Sequence, residues 1–281
     1  MLNPNVSEFF LFLGIQMIAL AMLIKTPLSK HLAFLGSLIY SIYWVLVIPT
    51  YLNAHDYVNV MLCALSLPIF SLIGLCYLKA GDVEHYEYFY NLVWLSSLPY
   101  VLVSRIPIIS GAIIKAVAIN STQLLNVFGF NYSAGEVMIR GWPYYSPNPL
   151  VVRVPIIPTS ISLIFPCTAF QAMAIFGAAV IASSAPIRKK TPIFLTVILL
   201  IYTLNIIRNA GVIYMIDVLG YSFELAHNQI GKAGSLIALI LLAYFVIRKI
   251  PDIGEKLNRI LDDILHFGSS LRLLKKTNMV K

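Results

Sequence analysis

Long apolar runs are the feature that most constrains how this chain can fold. A helix needs about 20 apolar residues to cross the hydrocarbon core of a bilayer. Of the 281 residues, 59% are hydrophobic and only 11% are charged, whereas a soluble domain carries about 25% charged residues. The sequence therefore predicts an integral membrane protein, with spans at 9–24, 32–52, 58–78, 88–104, 166–184, 191–215 and 230–247.

Basic residues at the ends of these runs predict the orientation in the cell membrane. Lys25 and Lys30 lie between the first two spans, Arg188 follows the fifth, and Arg248 follows the last. Because short cytoplasmic loops are enriched in Lys and Arg, the N-terminus is expected outside and the C-terminus in the cytoplasm. The net charge of +8 then indicates contact with anionic lipid and no nucleic acid.

The segment 105–165 is expected to lie outside the membrane. Its first half, 106–128, is apolar enough to form an additional helix, so the span number is seven or eight. Its second half alternates in polarity and is rich in turn-forming residues, which predicts extended strands or a hairpin. The predicted fold is an all-α polytopic membrane protein with a short extended or hairpin segment outside.

The tail, 251–281, repeats apolar residues at helical spacing between charged residues. This pattern predicts a basic amphipathic helix on the cytoplasmic face of the membrane. The apolar positions are Ile253, Leu257, Ile260, Leu261, Ile264 and Leu265.

Three polar residues are predicted to lie at one depth. Cys167, Arg208 and His227 stand 21, 18 and 21 residues from the basic residues that mark the cytoplasmic ends of their spans. At 1.5 Å per helical residue these separations are about 31, 27 and 31 Å, close to the thickness of the hydrocarbon core. All three side chains are therefore expected near the outer boundary.

These residue types suit nucleophilic catalysis. A cysteine thiolate is a nucleophile, a histidine can accept its proton, and an arginine can stabilise an oxyanion. Each residue also has a simpler interpretation. Cys167 alone is most often a packing residue, Arg208 can extend to the outer headgroups, and His227 can be an ordinary histidine at a helix start.

Three further side chains are candidates for supporting roles. Glu224 precedes His227 by three residues and can orient its ring, or it can be an ordinary acid in the first turn of a helix. Gln171 lies one turn after Cys167, and Asn205 lies one turn before Arg208. Either amide can line the site or hydrogen-bond between helices.

Neither a metal nor an organic cofactor is expected. Cys63 and Cys76 lie in one apolar run without ligand spacing, which indicates packing residues. The remaining histidines stand near predicted span ends or in the tail, where an interfacial or solvated position is expected: His31, His55, His85 and His266.

Three segments resemble one known family. PCTAFQAMAIF, LNIIRNAGVI and ELAHNQIGKAGSLIALI are similar to the archaeosortase and exosortase membrane transpeptidases, over roughly 166–250. That family carries a Cys at the head of one span, an Arg late in the next, and a His or Arg at the start of the last. The resemblance assigns these positions to Cys167, Arg208 and His227. The best-known archaeal branch tends to carry Arg at the third position, and many relatives have Gly where Ala169 stands.

The resemblance implies an activity and its partners. The substrates are exported proteins with a C-terminal motif, a transmembrane helix and a basic end. The enzyme cleaves near the motif, forms a thioester and transfers the acyl group to an acceptor, which is a membrane lipid in the archaeal branch. In this interpretation 1–281 is a single integral membrane domain with its catalytic region at 166–250 and its active site at the outer face.

Other functions remain open from the sequence. An intramembrane Arg208 can be the counter-charge of a transporter or channel, although no internal repeat of the kind common in transporters is visible. The same three residues also suit a cysteine protease in which water takes the acyl group. An accessory protein without chemistry is the remaining alternative.

Overall fold

The computed structural model describes residues 4–24, 26, 28–53, 56–140 and 151–278. Lys25, His55 and residues 141–150 and 279–281 lie outside the described residues. The helices are α1 Pro4–Ile24, α2 Ser29–Asn53, α3 Tyr57–Lys79, α4 Glu84–Arg105, α5 Pro107–Val127, α6 Phe170–Ala182, α7 Ile187–Asp217, α8 Lys232–Lys249 and α9 Pro251–Asn278. A 3-10 turn, Phe165–Thr168, precedes α6, and a π-helical segment, Glu224–Gly231, runs directly into α8.

Four short strands lie between α5 and the 3-10 turn. They are β1 Ser133–Ala134, β2 Met138–Arg140, β3 Val151–Ile157 and β4 Ser162–Ile164. β3 pairs antiparallel with the other three, with Ser133 opposite Ile157 and with Met138 and Ile164 each opposite Arg153. Strands were expected in this part of the chain. The alternation of apolar and polar residues that predicts strands corresponds to alternating burial in β3, where Val152, Val154 and Ile156 are buried.

The chain divides into two compact units, Met1–Leu95 with Pro251–Lys281, and Ser96–Ile250. In the first unit, α1 and α2 approach each other closely at glycines. A Cβ added at Gly14 would lie 2.6 Å from the backbone of Tyr40, and one at Gly36 would lie 2.9 Å from Met17. Small residues of this kind let membrane helices pack backbone to backbone.

The tail helix α9 belongs to the first unit and is more than a membrane-surface helix. Ile253 and Ile260 are buried within this unit. Lys256 contacts Glu84 at 3.0 Å, and Asp263 accepts hydrogen bonds from His85 and Tyr86 at the start of α4. His85 is therefore buried, and the expectation of an interfacial or solvated position for it was wrong.

The second unit has its core where α5 and α7 meet the strands. Ile114 and Val117 of α5, Val154 and Ile156 of β3, and Ile213 of α7 are almost fully buried there. Three hydrogen bonds between polar side chains of different segments accompany this packing: Asn120 to Tyr202 at 2.6 Å, Tyr132 to Asp217 at 2.6 Å, and Lys115 to Glu136 at 2.8 Å.

Six of the described helices are long and apolar enough to cross a membrane. They are α1 from Val6 onward, α2, α3, α5, α7, and the π-helical segment joined to α8. The chain is thus a largely helical membrane protein. Five of these six match predicted spans, and α5 matches the additional helix considered at 106–128. The number of spans and their orientation stay predictions.

The fifth predicted span, 166–184, is not a membrane-length helix. Its helical part, α6, has 13 residues, about 20 Å at 1.5 Å per residue. The chain enters through the 3-10 turn, and α6 ends before Ser183, whose backbone is extended. The depth calculated for Cys167 assumed an uninterrupted helix as far as Arg188, so that part of the argument was wrong. The span predicted at 88–104 lies within α4. This segment is helical, but α4 is not among the described helices that are apolar enough to cross a membrane.

Candidate active site

A tight turn presents Cys167 in the second unit. Pro166 stands at the start of the 3-10 turn, where its fixed φ is compatible with a helical turn and its missing N–H costs nothing. The Thr168 hydroxyl donates to the carbonyl of Phe165 at 2.7 Å and accepts from the backbone N–H of Phe170 at 3.3 Å. Thr168 is fully buried. This threonine therefore closes the turn behind the cysteine and caps the first turn of α6.

Ala169 links the turn to α6 in an unfavourable backbone conformation. Its φ is +56°, the only positive φ of a non-glycine residue in the described ranges. The left-handed region costs a residue with a Cβ about 1 kcal/mol or more relative to glycine. A glycine at this position would avoid that cost.

Two asparagines of α7 hold the backbone of Cys167. The Nδ2 atoms of Asn205 and Asn209 each donate to the Cys167 carbonyl oxygen at 2.9 Å. Both side chains are buried, and their spacing of four places them on the same face of the helix. Since a carbonyl oxygen has two lone pairs, the pair of amides saturates it and restricts the orientation of the residue that carries the thiol.

Arg208 lies between these asparagines and His227. Its Nε donates to the Gly231 carbonyl at 3.3 Å, and NH1 donates to Oδ1 of Asn209 at 3.4 Å. NH2 lies 3.3 Å from Nδ1 of His227. The guanidinium also lies within electrostatic range of the Cys167 side chain. In the described part of the chain no carboxylate pairs with Arg208.

His227 stands in the π-helical segment, half-buried, with its ring 4.8 Å from that of Phe223. A guanidinium can only donate hydrogen bonds, so Nδ1 of His227 is the acceptor. We therefore assign the proton of the neutral ring to Nε2 from this hydrogen bond. Glu224 does not bind the ring. It is exposed and accepts a hydrogen bond from Nδ2 of Asn228 at 2.5 Å.

Hydrogen bonds that include Asn209 connect the Cys167 backbone carbonyl with three other residues singled out in the sequence: Asn205, Arg208 and His227. Gln171 is exposed on the first turn of α6 and makes no side-chain hydrogen bond within the described ranges. Asn209 was missed, although its position four residues after Asn205 and next to Arg208 was a readable signal. The catalytic roles themselves stay predictions.

A cavity of about 330 Å³ borders this group. Arg208, Asn205 and Ser235 supply its polar side chains, and most of the remaining lining is apolar. Small residues line much of it: Ala169, Ala172, Gly211, Gly231, Gly234 and Ala238. We call this space the α7–α8 cavity. No group of three or more His, Cys, Asp or Glu side chains in the described residues is arranged to hold a metal ion.

Comparisons with known proteins add no relative. No model of a protein family, no curated protein and no solved structure matches this chain.

Proposed function

We propose that this protein is a cysteine-dependent membrane transpeptidase that processes the C-terminal sorting signals of exported proteins. The observation that carries the proposal is the hydrogen-bonded series from the Cys167 carbonyl through Asn209 and Arg208 to His227, beside an apolar cavity. The similarity to archaeosortases and exosortases supports the same three catalytic residues. Active-site exposure at the outer face of the cell membrane is part of the proposal.

The first half of the reaction forms a thioester. Substrate binding draws the Arg208 guanidinium from Nδ1 of His227 toward the scissile carbonyl oxygen, which frees the lone pair of Nδ1. The Cys167 thiol then transfers its proton to Nδ1 and its sulfur attacks the scissile carbonyl, whose oxygen becomes the oxyanion that Arg208 stabilises. Collapse of the intermediate breaks the C–N bond, and His227 returns the proton to the leaving amine.

The second half transfers the acyl group. An amine on the acceptor attacks the thioester, His227 takes the proton of that amine, and the Cys167 thiol is regenerated. In the proposal the acceptor is a membrane lipid and the leaving fragment is the transmembrane helix with its basic end. Water in place of the amine gives a hydrolytic cysteine protease, for which the same geometry is equally suitable.

The test compares the C-termini of surface proteins from cells carrying wild type, Cys167→Ala or Cys63→Ala. Cys63 is buried in α3 of the first unit, so its variant controls for the loss of a thiol elsewhere. We expect the hydrophobic tail to be retained only with Cys167→Ala. A lipid-sized mass on the processed C-terminus indicates transfer, and an unmodified C-terminus indicates hydrolysis. Normal processing by Cys167→Ala would refute the proposal.

A transporter or channel is the second candidate, because Arg208 lines a cavity and can act as a counter-charge for an anionic solute. This alternative assigns no role to the thiol. It therefore predicts normal function of Cys167→Ala and loss of function on replacement of Arg208, which is the opposite dependence on the cysteine.

A further inference from the structure

The α7–α8 cavity combines an apolar interior with the guanidinium of Arg208, whose hydrogen bonds within the described residues are long. The three contacts of Arg208, to Gly231, Asn209 and His227, are 3.3–3.4 Å long. Hydrogen bonds from a guanidinium to an anion are about 2.7–2.9 Å. An ionisable group inside a membrane segment is costly without a counter-charge, and no carboxylate supplies one here within the described residues. The site therefore favours an anionic group beside Arg208.

The size of the cavity limits what accompanies that anion. The cavity has a volume of about 330 Å³ and is partly open. A volume of this size is at the lower end of the range for small-ligand sites, about 300–1,000 Å³, and it suits a flexible alkyl chain.

Glycines keep the cavity open. Gly211 of α7 and Gly234 of α8 both line it, and a Cβ added at either would meet no atom within 4 Å. Both helices are otherwise rich in leucine and isoleucine, any of which would fill this space. Because glycine is unfavourable in a helix interior by about 1 kcal/mol, its use at two positions of the lining fits a site that must stay empty of protein.

We propose that the α7–α8 cavity binds one alkyl chain of an anionic membrane lipid, with the headgroup at Arg208. Apolar side chains surround the alkyl chain, and the guanidinium pairs with the phosphate oxygens of the headgroup. Binding requires no thiol and is independent of the proposed reaction. Only the use of the bound lipid as the acyl acceptor would rest on the proposed function.

Photolabelling of the purified Cys167→Ala protein in lipid vesicles tests this site. The probes are phosphatidylglycerol and phosphatidylcholine that carry the same photoreactive group in one acyl chain. We expect labelling of residues that line the cavity, with a several-fold preference for phosphatidylglycerol. Replacement of Arg208 by Gln is expected to remove this preference. Equal labelling by the two lipids in the parent protein would overturn the assignment of the headgroup.

Two adjacent positions give a matched pair of variants. Gly234→Leu places a side chain in the cavity, whereas Ala233→Leu adds the same side chain at an exposed position outside the lining. A leucine side chain would exclude several methylenes of the lipid's alkyl chain from the cavity. Loss of each buried methylene weakens apolar binding about fourfold, so labelling of the lining should fall more than tenfold in Gly234→Leu but not in Ala233→Leu. Gly211→Leu reaches the same space from α7 and serves if Gly234→Leu unfolds on heating earlier than its control.

Unchanged labelling in folded Gly234→Leu and Gly211→Leu would overturn the proposal, and so would labelling confined to residues outside the lining. Displacement of the label by an apolar peptide but not by excess anionic lipid would assign the cavity to a segment of a protein substrate instead. Because the parent protein lacks the thiol, none of these results depends on whether the enzyme cleaves a sorting signal.

Discussion

Each of the two units contains a cluster with a cysteine and a histidine, and the clusters differ in one component. In the first unit, Asp263 of α9 accepts hydrogen bonds from His85 at 3.0 Å and from Tyr86 at 2.5 Å, and the Cys76 sulfur lies 3.9 Å from its carbonyl oxygen. We call this group the tail cluster. In the second unit, His227 faces Arg208, and the two asparagines hold the Cys167 backbone.

The difference lies in the carboxylate. The tail cluster contains the acid that a conventional Cys–His–Asp set would have, but there the acid binds the tail helix to the start of α4. The candidate active site has a cation in place of the acid, and this cation borders a cavity. Residue types alone would therefore favour the tail cluster over the proposed active site. The accessible cation and the space beside it distinguish the candidate site.

The largest expected effect separates the two histidines. His227→Gln should lower processing about 10²–10⁴-fold, because a glutamine side chain cannot act as the general base. His85→Gln should leave the rate of processing unchanged and lower thermal stability, since it weakens the hydrogen bond to Asp263. Rates come from cleavage of a model substrate in vesicles. Retention of activity by His227→Arg would identify His227 as a hydrogen-bond donor and not a base.

A carboxylate introduced beside Arg208 should make the candidate site resemble the tail cluster. Asn209→Asp removes the donor to the Cys167 carbonyl and gives Arg208 an anionic partner in place of the oxyanion. We expect the turnover rate to fall about 10²–10³-fold, as when an oxyanion-stabilising group is lost.

The control for this variant is Asn209→Ala, which removes the amide without adding charge. It should lower the turnover rate only about tenfold, the equivalent of one hydrogen bond, with little change in KM. Equal losses in both variants would show that Asn209 positions Cys167 and does not influence Arg208. An unchanged rate in Asn209→Ala would show that the bond to the Cys167 carbonyl is dispensable.

Glycine in place of Ala169 should stabilise the turn that follows Cys167. Ala169→Gly removes the strain of a φ of +56° and should raise the free energy of unfolding by about 1 kcal/mol. Thermal unfolding in detergent measures the shift. Gly81→Ala is a suitable comparison, because a Cβ there meets nothing within 4 Å. A lower stability of Ala169→Gly would contradict the account of this turn.

The smallest expected effect is a pH dependence of the tail cluster. Partial burial raises the pKa of Asp263, whereas hydrogen bonds from Tyr86 and His85 lower it. The lowering is the larger effect, so the pKa lies below its usual value. A carboxyl group with a depressed pKa stabilises the fold above its unfolded-state pKa of about 4, and this contribution is lost as the pH falls through the lower folded-state pKa.

Hydrogen exchange of α9 measures this contribution between pH 5 and pH 2. The wild type should lose protection relative to Asp263→Asn as the pH falls below about 4. The difference should be under about 1 kcal/mol, because the Asp263 side chain is 47% exposed and solvent screens its interactions. A constant difference across this range would show that the ionisation of Asp263 does not contribute to the binding of the tail.

Part of the candidate site could be predicted from the sequence. Asn205 and Arg208 were both singled out from the sequence, and their helical register predicts that they reach neighbouring surfaces. The sequence did not indicate which side chain Glu224 binds. His227 and Asn228 follow it by three and four residues, so both lie within reach of the same carboxylate on a helix. The burial of His85 was also hidden, since it depends on Asp263, 178 residues later in the chain.

The sequence by itself determined the class of protein, the positions of most of the long helices and the alternation of β3, because hydropathy and periodicity are sums over neighbouring residues. It also placed a cysteine, an arginine and a histidine in three successive segments. Only the tertiary structure decided that α6 is too short to span, that Arg208 contacts His227 and not an acid, and that glycines leave a cavity beside them. Those features depend on packing between distant segments, and local patterns do not encode which surfaces meet.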